Sequence, residues 1–320
     1  MKKIYSTFLL VFVFSTALFR GSVFAAEGGV GHYVPGALAD FMDMAPPSGL
    51  AVLDWYNHYN GSAAASRQLE FGGIIAANVS ARSNAEMLGA AYTFPCGILD
   101  GKFSAGVIIP YIWMDVTGSI TGPFGKTITR TDTASGIGDI ILIPFWLGWT
   151  RGDFRWSTQL NIYAPTGEYD RGQLANVGLN YWTFEPMVSF SYVSKKIGLE
   201  ISANAGLDFN TNNDATDYQS GEVFHTDITI AEHFPLCNWG IFGVGANGSY
   251  WKQFTADSGS GARLGSFETL MTGVGPVISY ISPKFCGNHT IIAEVKWLPQ
   301  IDTSKTLKGD YVWFKAALTF

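Results

Sequence analysis

The chain has 320 residues, 20 basic against 26 acidic, and only 14% charged side chains, where soluble domains carry about 25%. Its 10 Trp, 14 Tyr and 23 Phe exclude a disordered chain, and three Cys exclude a disulfide-dense scaffold. A net charge of −6 offers no basic footprint for phosphate, so no nucleic-acid partner is expected.

Residues 1–25 read as an export signal. Lys2 and Lys3 form its positive start, residues 8–19 its apolar stretch and Val23-Phe24-Ala25 its cleavage site. The apolar stretch falls short of the roughly 20 residues a membrane helix needs, and Arg20 ends it. Cleavage removes three basic residues and no acidic one, so the mature chain is more acidic than the whole. Residues 26–47 follow. They hold His32, Tyr33, Phe41, Met42 and Met44 without alternation, and read either as a lumen plug or as a loose periplasmic tail.

Residues 48–320 read as one all-β domain. The longest apolar run, residues 140–149, is broken by Pro144 and Gly148, which excludes a helix bundle spanning an inner membrane. Alternation of period two recurs instead. Phe103, Ala105, Val107, Ile109, Tyr111 and Trp113 form one apolar face. Phe154, Trp156, Leu160 and Ile162 alternate with Arg155, Ser157, Gln159 and Asn161. Trp182, Phe184, Val188, Phe190 and Tyr192 alternate with Tyr181, Thr183, Glu185, Ser189 and Ser191. Leu199, Ile201, Ala203, Ala205, Leu207 and Phe209 alternate with Glu200, Ser202, Asn204, Gly206 and Asp208. The last strand puts Val312, Phe314, Ala316, Leu318 and the terminal Phe320 on one face. The apolar faces suit lipid and the polar faces a lumen. Aromatics near strand ends, Tyr111 with Trp113, Trp146 with Trp149, Tyr181 with Trp182, and Trp251, fit interfacial girdles.

From residue 95 onward short and long linkers alternate. Residues 95–101, 149–153, 193–197, 235–239 and 282–288 are short; 115–135, 165–178, 210–221, 256–262 and 299–309 are long. That is the plan of an outer-membrane β-barrel, with periplasmic turns and external loops. The spacing predicts a transmembrane antiparallel barrel of 12–14 strands in the bacterial outer membrane. Its partners would be outer-membrane lipid and the assembly machinery, which would read Phe320.

Chemistry-bearing motifs are scarce. Gly243-Val244-Gly245-Ala246-Asn247-Gly248 leads into a strand-like run rather than a helix, so it is no dinucleotide site. Gly122-Pro123-Phe124-Gly125-Lys126-Thr127 lacks the first glycine of a phosphate loop, because residue 120 is Ile120. His32, His58, His225, His233 and His289 show no metal spacing, and no GxSxG is present. No catalytic residue, metal or cofactor is assigned. Cys96, Cys237 and Cys286 all fall in the short turns; Cys237 and Cys286 form the better disulfide pair, against three unpaired thiols.

Two segments carry a family resemblance. One is Gly31-His32-Tyr33-Val34-Pro35-Gly36 with Pro46-Pro47-Ser48-Gly49-Leu50 and the strand holding Trp55, Tyr56 and Tyr59. The other is Ala164-Pro165-Thr166-Gly167-Glu168-Tyr169-Asp170, with Asn176, Gly178, Asn180, Trp182 and Pro186 beyond it. Together they resemble the outer-membrane family known as the Putative MetA-pathway of phenol degradation. The resemblance implies a link to aromatic catabolism, hence a channel passing small apolar or aromatic molecules by diffusion. Two rivals stand beside it: a structural or adhesive barrel, and a barrel hydrolase acting on lipids. Face assignment nominates His32, Tyr33, Trp55, Tyr59, Asn161, Tyr163, Tyr181 and Glu185 as the ligand-facing set. Pro165 and Gly167 end a strand, and the loop behind them is either folded inward or braced on the rim, or an ordinary turn.

Overall fold

A computed structural model describes residues 27–40, 43–64, 66–122, 124–237, 239–265, 268–285 and 289–320. The export signal lies outside them. The strands are β1 (Gly49–Ser62), β2 (Gln68–Phe71), β3 (Ile74–Ile98), β4 (Gly101–Thr121), β5 (Thr127–Ile137), β6 (Ile140–Arg151), β7 (Phe154–Ala164) and β8 (Thr183–Val193). They continue as β9 (Leu199–Asn210), β10 (Asn212–Asn213), β11 (Tyr218–Gln219), β12 (Val223–Pro235), β13 (Ile241–Gln253), β14 (Leu270–Phe285), β15 (His289–Ser304) and β16 (Lys308–Thr319).

Every pairing is antiparallel, and β1 closes on β16 from Ala51 opposite Thr319 to Ser62 opposite Lys308. β2 is a short flange on β3. β5 and β6 share one position against β4, pairing with its second and first halves. The result is a closed barrel of 12 strands. Closure leaves no backbone edge, which is what lets a sheet cross lipid.

The faces follow the alternation. Trp182 just before β8, and Phe184, Val188 and Phe190 on it, are exposed while Thr183, Glu185, Ser189 and Ser191 are buried. On β16, Phe314 and the following Phe320 are exposed and Tyr311, Trp313 and Lys315 are buried. Tyr111 and Trp113 face outward as expected, but Trp146 and Trp251 are buried. A bulge between Leu142 and Phe145 resets the parity of β6 and turns Trp146 inward. Trp251 sits on the same face of β13 as Asn247 and Ser249.

Two expected loops are strand instead. Residues 115–135 are mostly the β4–β5 hairpin, where Thr117 meets Thr131 at 2.8 Å and Thr121 meets Thr127 at 2.9 Å. Residues 299–309 are mostly the continuation of β15 and the start of β16. Such rim strands are wet on both sides, so no apolar period marks them. The expected Cys237–Cys286 pair falls in part on Cys286, which lies outside the described residues; Cys96 and Cys237 are exposed. Cys237 sits at positive φ in a turn already closed by Leu236 and Gly240 backbone groups.

Candidate functional site: the inner wall and the N-terminal segment

The inner wall has two unlike halves. Strands β7, β8, β9, β12 and β13 turn Gln159, Asn161, Glu185, Asn204, Asp208, His225, Asp227 and Asn247 inward, all buried. The middle of β4 and the first part of β6 carry apolar side chains on both faces, and β3 turns Ala81, Ala85 and Met87 to the cavity. Ile109 and Leu142 are exposed on the outer face. Met87, Ile112, Met114, Val116 and Ile141 line an inner cavity of about 260 Å³, with Tyr59, Tyr163 and Tyr311 at its borders. A second cavity of about 80 Å³ lies among Trp55, Ile108, Ile143, Asn161 and Tyr163.

The N-terminal segment contacts the inward faces of strands on both sides. Val34-Pro35-Gly36-Ala37 is a tight turn closed by Ala37 N–H on Val34 O at 3.2 Å. Proline presets the first corner, and Gly36 takes the second at φ 81°, which only glycine adopts freely. This accounts for two of the motif residues. The turn aims backbone N–H groups at one carboxylate: Gly36 donates to Asp227 Oδ2 at 3.1 Å, and Tyr33 Oη donates to the same oxygen. On the other side Trp313 Nε1 donates to Pro35 O at 3.0 Å. Lys315 Nζ donates to Ala37 O at 2.8 Å and meets Asp40 at 2.7 Å and Asp43 at 3.0 Å. Lys296 meets Asp40 at 3.3 Å and Glu294 at 3.1 Å.

These neighbours split the two segment carboxyls. Burial alone would raise Asp40, but Lys315 and Lys296 outweigh it and hold the group well below the ordinary carboxylate range. Burial, then the Asp40 charge, pushes Asp43 up to about 7.

Six of the eight nominated residues meet. His32 stacks on Tyr163 at 4.7 Å, takes the edge of Tyr181 at 5.1 Å, and bonds Asp139 at 2.9 Å and Thr183 at 2.7 Å. Asn161 Nδ2 and Tyr163 Oη both donate to Glu185 Oε2, at 2.8 and 2.9 Å. Glu185 Oε1 lies 2.8 Å from His225 Nε2, and Tyr33 stacks on the His225 ring at 3.5 Å. Trp55 and Tyr59 stand apart, the first under Lys315 at 4.8 Å and the second against Tyr311 at 4.6 Å. Tyr181 and Glu185 are buried but line neither cavity.

The loop after β7 folds inward. Leu174, Ala175 and Val177 are buried. Asp139, at the break between β5 and β6, accepts from Gly167 N at 2.9 Å and Leu179 N at 2.7 Å. Thr166 Oγ1 accepts from Ile140 N at 2.9 Å, and Asn176 Oδ1 accepts from Asp170 N at 2.7 Å. Asn180 sits at φ 59° and donates to Asn213 Oδ1 at 2.6 Å. Trp182 and Pro186 point outward, so these two motif residues touch no lumen group. Sequence reasoning missed Lys296, Asp227 and the apolar wall. Alternation in β15 would have placed Glu294, Lys296 and Leu298 on one face; nothing separates the two faces of β4.

The family described as Putative MetA-pathway of phenol degradation matches residues 64–316. No curated protein matches the sequence. Among solved structures, the chain is similar to an outer membrane channel from Pseudomonas putida F1, with TM-score 0.65 and 14% identity over 88% of this chain and 99% of that one. It also resembles the beta domain of the Bordetella autotransporter BrkA, with TM-score 0.49 and 8% identity over 86% of this chain and 100% of that one. A closed barrel with an apolar outer belt is the outer-membrane architecture. The chain is an outer-membrane β-barrel and belongs to the Putative MetA-pathway of phenol degradation family.

Proposed function

We propose that the protein is an outer-membrane channel through which small apolar or aromatic molecules diffuse passively, with the N-terminal segment as its plug. The observation that carries this is the cavity of about 260 Å³ between the segment and the apolar wall of β3, β4 and β6. An apolar cavity of about 150 Å³ takes benzene, so this space suits a one-ring molecule. Met87, Ile112, Met114 and Ile141 offer dispersion contacts, and the bordering tyrosines offer ring faces. The family description points to phenol degradation, and the similar Pseudomonas structure is of a channel. A general porin would favour charged lumen walls, and the inward faces of β3, β4 and β6 carry no charge.

A deletion strain supplied with phenolic, alkane or fatty-acid carbon at growth-limiting concentration tests the substrate class. Slower growth on phenolics, restored by the gene, is expected; equal growth on every source overturns the uptake reading. The plug is tested separately in planar bilayers. Removing residues 28–44 should raise single-channel conductance, and an unchanged conductance rejects the plug.

A further inference from the structure

Glu185 on β8, Asp208 on β9 and His225 on β12 come from three successive strands of the polar wall, and all three are fully buried. One donor atom from each lies within 4.8 Å of the others. His225 Nε2 is 2.8 Å from Glu185 Oε1 and 3.4 Å from Asp208 Oδ1. We propose that these side chains form a binding site for one divalent transition-metal ion, of the zinc type, inside the barrel wall.

Four observations support the site. A divalent ion would balance the charges of the cluster. Among the described residues the ion pairs of Glu185 and Asp208 are with His225 alone. A divalent cation with neutral imidazole neutralises both carboxylates without either holding a proton. The second is Asp208 Oδ2, a buried carboxylate oxygen with no hydrogen-bond partner among the described residues, while Oδ1 has only His225 at 3.4 Å. Buried carboxylates are ordinarily saturated with donors, so this acceptor is left for something else.

The third is spacing. Zinc bonds of about 2.0–2.2 Å in a tetrahedron set donor atoms about 3.3–3.5 Å apart. The His225–Asp208 separation matches, and the His225–Glu185 pair opens by about half an ångström. The fourth is the cradle. A Cβ on Gly206 would overlap the His225 ring and come within 3.1 Å of Glu185 Oε1, so only glycine leaves this space. Asn161 and Tyr163 tie down the other Glu185 oxygen, which fixes the carboxylate as outer partners fix metal ligands. One imidazole with two carboxylates suits zinc or manganese over soft cuprous ion.

The test uses protein purified from outer membranes, loaded with Zn²⁺ and dialysed. The wild type should keep about one zinc per chain, with Asp208→Asn and His225→Gln each weakening zinc at least about tenfold. The heat-dependent gel shift of a closed barrel reports whether the variants fold. Zinc-edge X-ray absorption on the wild type should give a shell of oxygen with one imidazole nitrogen, and it decides the matter if the variants do not close. Absence of retained zinc, equal retention by wild type and folded variants, or a sulfur shell pointing to the exposed thiols would each overturn the proposal.

Discussion

Lys315 is fully buried and faces Asp40, Asp43 and Glu294, with Lys296 beside it. Two cations thus meet three carboxyls, and Asp43, pushed up to about 7, retains a proton into the neutral range. Its ordinary value is 3.8. A carboxyl raised by docking stabilises the docked segment fully below its ordinary value, and that contribution is lost progressively between 3.8 and about 7. Conductance should therefore climb from about pH 4 to about pH 7 and level off above it. Asp43→Asn, which cannot ionise, should remove the step; a wild-type trace without pH dependence would refute this. Lys315→Met removes one of the two lysines that face Asp40, and breaking a buried pair costs about 3–5 kcal/mol. Residues 28–40 should then become cleavable in limited proteolysis while the strands stay resistant. Lys315 and Tyr33 were legible as inward from the alternation and the motif. That they meet through Asp40, Ala37 and Asp227 was not, because an ion pair between distant segments leaves no local periodicity.

The middle of β4 carries apolar side chains on both faces. Ile109 and Ile112 lie three residues apart on β4, one exposed and one bordering the larger cavity. Substitutions at the two should fail differently. Ile109→Arg places a charge in lipid and should cost about 2–4 kcal/mol of stability near the midplane, read as a lower denaturant midpoint. Ile112→Asn should leave the midpoint nearly unchanged and slow aromatic uptake several-fold. Equal effects on stability would mean that the faces are assigned wrongly. The same elements mark where sequence reading works. Faces of β7, β8 and β9 are legible because one side is apolar and the other carries Ser, Asn, Gln or Glu, and Lys315 marks the inner side of β16. Alternation is silent for β4, apolar on both sides, and for the Thr-rich rim of β5, wet on both sides. The bulge in β6 likewise leaves no mark beyond Pro144, yet it moves Trp146 from the lipid face to the lumen.

At the scale of the molecule, the first and last barrel strands make the closing seam, twelve register pairs from Ala51–Thr319 to Ser62–Lys308. Strand number and closure were legible to within two strands from linker rhythm. The seam and the Glu185–Asp208–His225 grouping depend on register, which pairing alone defines. Phe320 stands just past the seam. Its N–H donates to Leu50 O at 2.9 Å, its ring lies 4.9 Å from that of His289, and about half of it is exposed. So little contact cannot hold the barrel shut: truncating a side chain buried only in part costs about 1 kcal/mol. An assembly role for Phe320 therefore predicts a loss in membrane accumulation without a loss in folded-state stability. Phe320→Ala should refold in detergent with a midpoint close to the wild type, yet accumulate several-fold less in outer membranes. If both quantities fall together, the ring is structural; if neither falls, the terminal aromatic is no assembly signal.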